Sequence, residues 1–232
     1  KRTLFVERSK IFSIDTTYTR QPTKHMKGYS ERGSGTQICR EKPYQYTDAI
    51  VTMICADGVN HTPSMLFTHN PKLNPEGPEG PYLRKLEKVC KRYGIKKNRI
   101  IYIHSSRKYC PETVEMYEHF LTSNRIPKDS VIFHDNGGGF KRGSESIFDI
   151  LGFKNHQTFP SDVHQWLSPN DNNLHGVKTT WKKHYQDFGD SIKSPLSLMY
   201  LIDKHGEEHS QQFFDRNILK VQKKDIPNLM KG

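Results

Sequence analysis

Three aspartates, Asp15, Asp135 and Asp171, stand where carboxylates could be gathered around a hard cation. Asp15 closes the apolar stretch Ile11-Phe12-Ser13-Ile14, and Asp135 closes a second, Val131-Ile132-Phe133-His134. Gly137 to Gly139 follow the second stretch and let the backbone turn away at once. Asp171 comes directly after Ser168-Pro169-Asn170, a helix-start signal ahead of a long periodic segment. Two strand ends and one helix start would bring three oxygen donors around Mg²⁺ or Mn²⁺, and two such ions would serve an in-line displacement at phosphorus. Taken singly, each aspartate fits an ordinary strand-end or helix-cap role. Asn136, next to the second aspartate, is either a ligand-orienting side chain or a turn residue. His134 alternates with Asp135 on its strand and so should point to the opposite face.

The elements that must position these residues are legible in outline. Residues 11–19 read as a strand, residues 46–56 as another that stops at Asp57-Gly58, and Pro63 to His69 as its antiparallel return. Asn70 to Pro81 is rich in proline and glycine and reads as an irregular loop. Tyr82 to Tyr93 places Leu83, Leu86, Val89 and Tyr93 at helical spacing, with Arg84, Lys85, Lys88 and Lys91 on the remaining faces. A short strand at Ile100 to His104 follows. A helix opened by Pro111-Glu112-Thr113 comes next, and then the strand leading to Asp135. Ser144 to Leu151 suits a short helix, Asn155 to Phe159 a last strand, and Ser168 onward a helix through Val177, Trp181 and Tyr185. The order implies an α/β layer domain with a mixed sheet, three strands coming first and helices alternating with strands thereafter. Trp166 and Trp181 are expected in core or subdomain contacts.

Composition sets the outer limits. The chain has 232 residues, with 36 Lys+Arg against 25 Asp+Glu and a formal charge of +11, which favours a polyanionic partner such as nucleic acid. Lys178, Lys182 and Lys183 extend the basic surface along the late helix. No apolar run reaches the ~18 residues that a membrane span requires, and the first residues have no signal-peptide apolar region. The chain begins without Met, which suggests an excerpt of a longer polypeptide. Cys39, Cys55, Cys90 and Cys110 are widely spaced and read as reduced thiols; two disulfides or a composite zinc site are the alternatives. A region at 205–232 carries Phe213, Phe214, Ile218 and Leu219 at helical spacing, followed by the basic tail Lys220, Lys223 and Lys224.

Three strings join the aspartates in a single pattern. They are Gly28-Tyr29-Ser30-Glu31-Arg32-Gly33 after the first aspartate, Val131 to Asn136 at the second, and Phe159-Pro160 through Ser168-Pro169-Asn170-Asp171 at the third. Together they resemble the ribonuclease-H-like catalytic domain of DDE/DDD transposases of the mariner/pogo group, over about residues 8–188. The resemblance implies a ribonuclease-H-like domain at 11–188 after a short lead-in at 1–10. It would carry an insertion at about 70–99 and a helical extension with a basic tail at 189–232. It implies DNA strand cleavage and strand transfer with Asp15, Asp135 and Asp171 as ligands of two Mg²⁺ or Mn²⁺ ions. DNA, as transposon ends and target, would be the partner, and a homodimer an open possibility. Placement would be nuclear in a eukaryote and cytoplasmic otherwise, without secretion. The alternative is a domesticated, transposase-derived DNA-binding or scaffold protein without turnover. This chain departs from the group's pattern at Thr16, where an acidic residue is frequent, at Gly137, where alanine is frequent, and at His175, where the mariner branch has its third carboxylate.

Overall fold

The computed structural model describes residues 6–19, 46–77, 80–104, 110, 112–159, 164–188 and 193–219. Gly28 to Gly33, Cys39, Pro160 to Val163 and the basic tail with Lys220, Lys223 and Lys224 lie outside them.

The first strand, β1 (Ile11–Tyr18), buries Ile11 to Ile14 almost completely, a continuous apolar run that suits a strand covered on both faces. It pairs antiparallel with β2 (Ala49–Cys55), and β2 pairs antiparallel with β3 (Met65–Thr68), as the turn signal at Asp57-Gly58 predicts. The chain then crosses over through α1 (Pro81–Tyr93) to β4 (Ile100–Tyr102), which lies parallel to β3. Pro81 starts the helix and Gly94, at φ +65°, ends it in the left-handed conformation that an L side chain disfavours. The 70–99 segment, expected as an insertion, is therefore the crossover that adds a sixth strand to the sheet edge.

Next come α2 (Val114–Ser123), whose cap Thr113 accepts from the Met116 N–H, and β5 (Val131–His134), parallel to β1. A small hairpin, β6 (Lys141–Arg142) with β7 (Glu145–Ser146), leads into α3 (Ile147–Ile150) and then to β8 (Asn155–Thr158), parallel to β5. Three helices follow, α4 (His164–Leu167), α5 (Pro169–Phe188) and α6 (Lys193–Phe214), with a single π-helical turn at Asp215–Leu219. The sheet order is β4-β3-β2-β1-β5-β8, a mixed α/β arrangement of the ribonuclease-H-like kind with β4 added beyond β3.

Strand alternation divides the core into two layers. Phe12, Ile14, Val51, Met53 and Ile132 face α2 and α3, where Tyr117, Phe120 and Phe148 cover them. Ile50, Leu66 and Ile100 face α1, α5 and α6, meeting Leu86, Val177, Trp181 and Ile202. A fully buried side chain of this size stabilises by about 1.5–3 kcal/mol. Trp181 is in the core as expected, whereas Trp166 is 70% exposed on the short α4. A one-turn helix has no second apolar face to bury so large a ring.

Candidate metal centre

Register brings the first two aspartates together. Parallel pairing sets Ser13 opposite Phe133, so two residues further along Asp15 stands level with Asp135 just past the end of β5. Both side chains are of odd number, like Ile11, Phe133 and Val131, and so point to the face covered by α5 and α6. Asp15 is inside β1 rather than at its end, because the strand runs on through Tyr18.

The third aspartate reaches the same face by the docking of α5. Ser168 caps that helix, its hydroxyl accepting from the Asp171 N–H at 3.2 Å. Asn170 pins the first turn to the sheet. Its amide donates to the Thr52 carbonyl at 3.0 Å and its backbone N–H to the Ser13 hydroxyl at 3.4 Å. Thr52 is the β2 partner of Asp15, so the helix start is held directly over it. Asn170 is fully buried and its position was visible in the sequence only as a helix-start residue.

Electrostatics register the convergence. Asp15 keeps some surface open to solvent, yet burial pushes its carboxyl well above the usual range, and the charges of Asp171 and Asp135 push it further. The Thr16 N–H, which donates to Asp15 Oδ1 at 2.7 Å, and the Lys178 ammonium oppose that rise. Lys178 follows Asp171 by seven residues, two turns along the same side of α5. The three carboxylates do not all lie within 4.8 Å of one another. Three acceptor-only groups whose mutual repulsion a cation would relieve are a donor set that fits hard divalent ions.

The surrounding loops account for the two departures nearest the aspartates. Thr16 turns to the opposite face, where its hydroxyl lies 2.7 Å from that of Tyr117 on α2, and Tyr117 in turn donates to Glu112. An acidic residue there would meet Glu112 through the same contact. At Gly137 the N–H donates to Asp135 Oδ1 at 3.0 Å, and an added Cβ would come within 3.0 Å of that oxygen. Gly139 is tighter still, its missing Cβ falling 2.8 Å from both Glu112 Cγ and Tyr117 Cε2. Gly139→Ala should therefore destabilise the fold by about 1–3 kcal/mol, read as a lowered midpoint in a thermal melt.

Behind Asp135, His134 points into the α2 and α3 layer, as its alternation predicts, and packs on Phe140 and Phe148. Burial lowers it to about 4. Its Nδ1 donates to the Asp135 carbonyl at 2.6 Å, its Nε2 meets His156 Nδ1 at 3.1 Å, and His156 Nε2 meets Asp149 at 3.0 Å. This chain fixes the Asp135 backbone, and sequence spacing alone did not reveal it.

The remaining residues singled out in the sequence are spread more widely. Asn136 is exposed next to Asp135. Arg84, Lys85, Lys88 and Lys91 are exposed along α1, and Lys178 is exposed on α5. Lys182 and Lys183 belong to α5, with side chains outside the described ones. His175 is exposed. Cys55, Cys90 and Cys110 are buried, and no disulfide joins them among the described residues. No described helix is long and apolar enough to cross a membrane. Set against family models, curated proteins and solved structures, the chain matches none.

Proposed function

We propose that this chain cleaves and joins DNA strands by metal-dependent in-line displacement at phosphorus, with Asp15, Asp135 and Asp171 as the cation ligands. The observation that carries the reading is Asp15, a deep-set carboxylate level with Asp135 on the neighbouring parallel strand and under the charge of Asp171. Two Mg²⁺ or Mn²⁺ ions held there would supply charge neutralisation at the attacking and leaving oxygens. The protein's own residues prepare that placement. The N–H groups of Thr16 and Gly137 orient the carboxylates of Asp15 and Asp135, Asn170 seats the helix that carries Asp171, and Lys178 adds a positive charge on the substrate side.

The excess of positive charge supports a polyanionic substrate, and the nucleus of a eukaryotic cell or the cytoplasm of a prokaryote would supply it. The exposed cations on α1 and Lys178 would hold the DNA backbone without reading its sequence. Affinity for duplex DNA should fall by about 10³ between about 50 and 200 mM salt if six or more phosphates are neutralised. Charge reversal at Arg84, Lys85, Lys88 and Lys91 should lower affinity and flatten the salt slope; an unchanged slope would leave α1 a solvated helix.

The deciding experiment is Mn²⁺-dependent nicking of supercoiled plasmid, repeated on pre-nicked transposon-end DNA. Turnover that requires the cation supports the reading. Folded protein that binds both DNAs, gains no thermal stability from Mn²⁺ and cuts neither would favour a DNA-binding scaffold instead.

A further inference from the structure

The end of β2 and the turn after it carry three metal-binding side-chain types within seven residues: Cys55, Asp57 and His61. One donor atom from each, a thiol sulfur, a carboxylate oxygen and an imidazole nitrogen, lies within 4.8 Å of the other two. Among the described residues no other trio of His, Cys, Asp or Glu comes so close. Asp57 Oδ2 is 2.6 Å from His61 Nε2, while Asp57 Oδ1 accepts from the Val59 N–H at 2.9 Å. The second bond fixes the carboxylate so that its free oxygen faces the histidine.

The turn is also braced from outside. Arg8 Nε donates to the Ala56 carbonyl at 3.0 Å, the Cys55 thiol donates to the Arg8 carbonyl at 3.3 Å, and the Gln211 amide of α6 donates to the Asp57 carbonyl. Gly58, at φ +84°, supplies the left-handed step that folds the turn back. An Asp-Gly turn alone explains Asp57 and Gly58. It does not require a buried thiol against the same carboxylate or an imidazole closing the third side.

We propose that Cys55, Asp57 and His61 form a second cation site, for a borderline-soft divalent ion of the Zn²⁺ class. Thiolate and imidazole donors select such an ion over Mg²⁺ or Mn²⁺, so the two sites differ in chemistry as well as place. Cys55 pairs with Phe12 whereas Thr52 pairs with Asp15, which sets Cys55 about 10 Å along the strand from the level of Asp15. The inference therefore stands independently of the proposed DNA chemistry. Three protein ligands leave a fourth position, which water takes on the exposed His61 side. Tetrahedral bond lengths put the carboxylate oxygen and imidazole nitrogen about 3.3 Å apart, so the present contact must open by less than about 1 Å. Rotation of the partly exposed His61 ring is enough. Uptake also releases the Cys55 Sγ proton to solvent, shifts the His61 Nε2 proton that faces Asp57 to Nδ1 or to solvent so that the nitrogen lone pair can bind, and frees the Arg8 carbonyl.

The test is titration of the full, metal-free chain with Co²⁺, followed by displacement with Zn²⁺. One equivalent should give intense thiolate-to-cobalt charge-transfer absorption and tetrahedral d–d bands, resistant to millimolar Mg²⁺. Cys55→Ser should remove the charge-transfer band. Because Cys55 is buried and its variant could fail to fold, His61→Ala is the second arm; it should weaken Co²⁺ binding by more than about 100-fold, beyond the loss of an outer-shell partner. Asp15→Asn should leave the band unchanged. Absence of a thiolate band at stoichiometric Co²⁺, or a band that persists at equal affinity in either site variant, would overturn the proposal.

Discussion

Asp15→Asn should reduce Mn²⁺-dependent nicking by at least about 10²–10³-fold, the scale on which loss of one electrostatic contact to a reacting phosphoryl group is felt. The amide keeps the Thr16 N–H bond to Oδ1 but is a neutral, weaker oxygen ligand. DNA binding should be unaffected, since it rests on the cationic surface. Stability gives an independent readout. The folded Asp15 carboxyl titrates well above its unfolded value, so the stability it contributes is complete below about pH 4 and is lost as pH rises through the folded value. At neutral pH without divalent cations, the Asn variant should melt higher than the parent. With Mn²⁺ the order should reverse, because only the parent gains binding free energy from the ion. Full nicking activity in the variant would remove Asp15 from the site. An unchanged metal-free melt would show that its burial carries no penalty.

Asp203→Asn should act on stability alone and in a defined pH window. This α6 carboxylate is deep-set, accepts from the Ser64 N–H at 3.0 Å and from the Ser64 hydroxyl at 2.6 Å on the same oxygen, and burial pushes it up to about 6 despite those bonds. Its folded value lies above the unfolded one, so its stabilising contribution is full below about pH 4 and disappears as pH rises past about 6. The difference amounts to at most about 3 kcal/mol. An amide oxygen keeps both Ser64 bonds and never ionises. The two proteins should therefore melt alike at about pH 4, while the variant should melt higher by up to about 6–12 °C at pH 7–8. A variant equally or less stable at pH 8 would mean that Arg99, whose charge acts on Asp203, offsets the burial.

Local signals carried the elements further than they carried the site. The run into Asp135 ends in glycines, and Ser168-Pro169 opens a helix, so both placements follow from short-range chemistry. That Asp15 and Asp135 stand level is a matter of parallel register between strands more than a hundred residues apart, which no local pattern encodes. Resemblance supplied an order of carboxylates. The seating of α5 came from Asn170, which looks in sequence like any helix-start residue but spends its side chain on a sheet carbonyl. Cys55 is one of four widely spaced cysteines, a spacing that carries no information; the side chains beside it in the fold are an aspartate and a histidine across one turn. Trp166 shows the reverse failure. Its large apolar ring suits burial, but on the four-residue α4 it is Leu167 that packs on the core while Trp166 stays exposed.

The crossover through α1 has a further consequence for how the sheet ends. Without β4, the free margin would be β3, four fully buried residues whose unpaired amides and carbonyls would offer a template to any extended chain. With β4 in place, the margin is three residues long at one side and the polar Asn155–Thr158 at the other. Short and polar margins recruit added strands poorly, so the segment protects the folded chain against edge-to-edge self-association. A version lacking residues 70–102, crossover and β4 together, would uncover an apolar strand whose most accessible partner is another copy of itself.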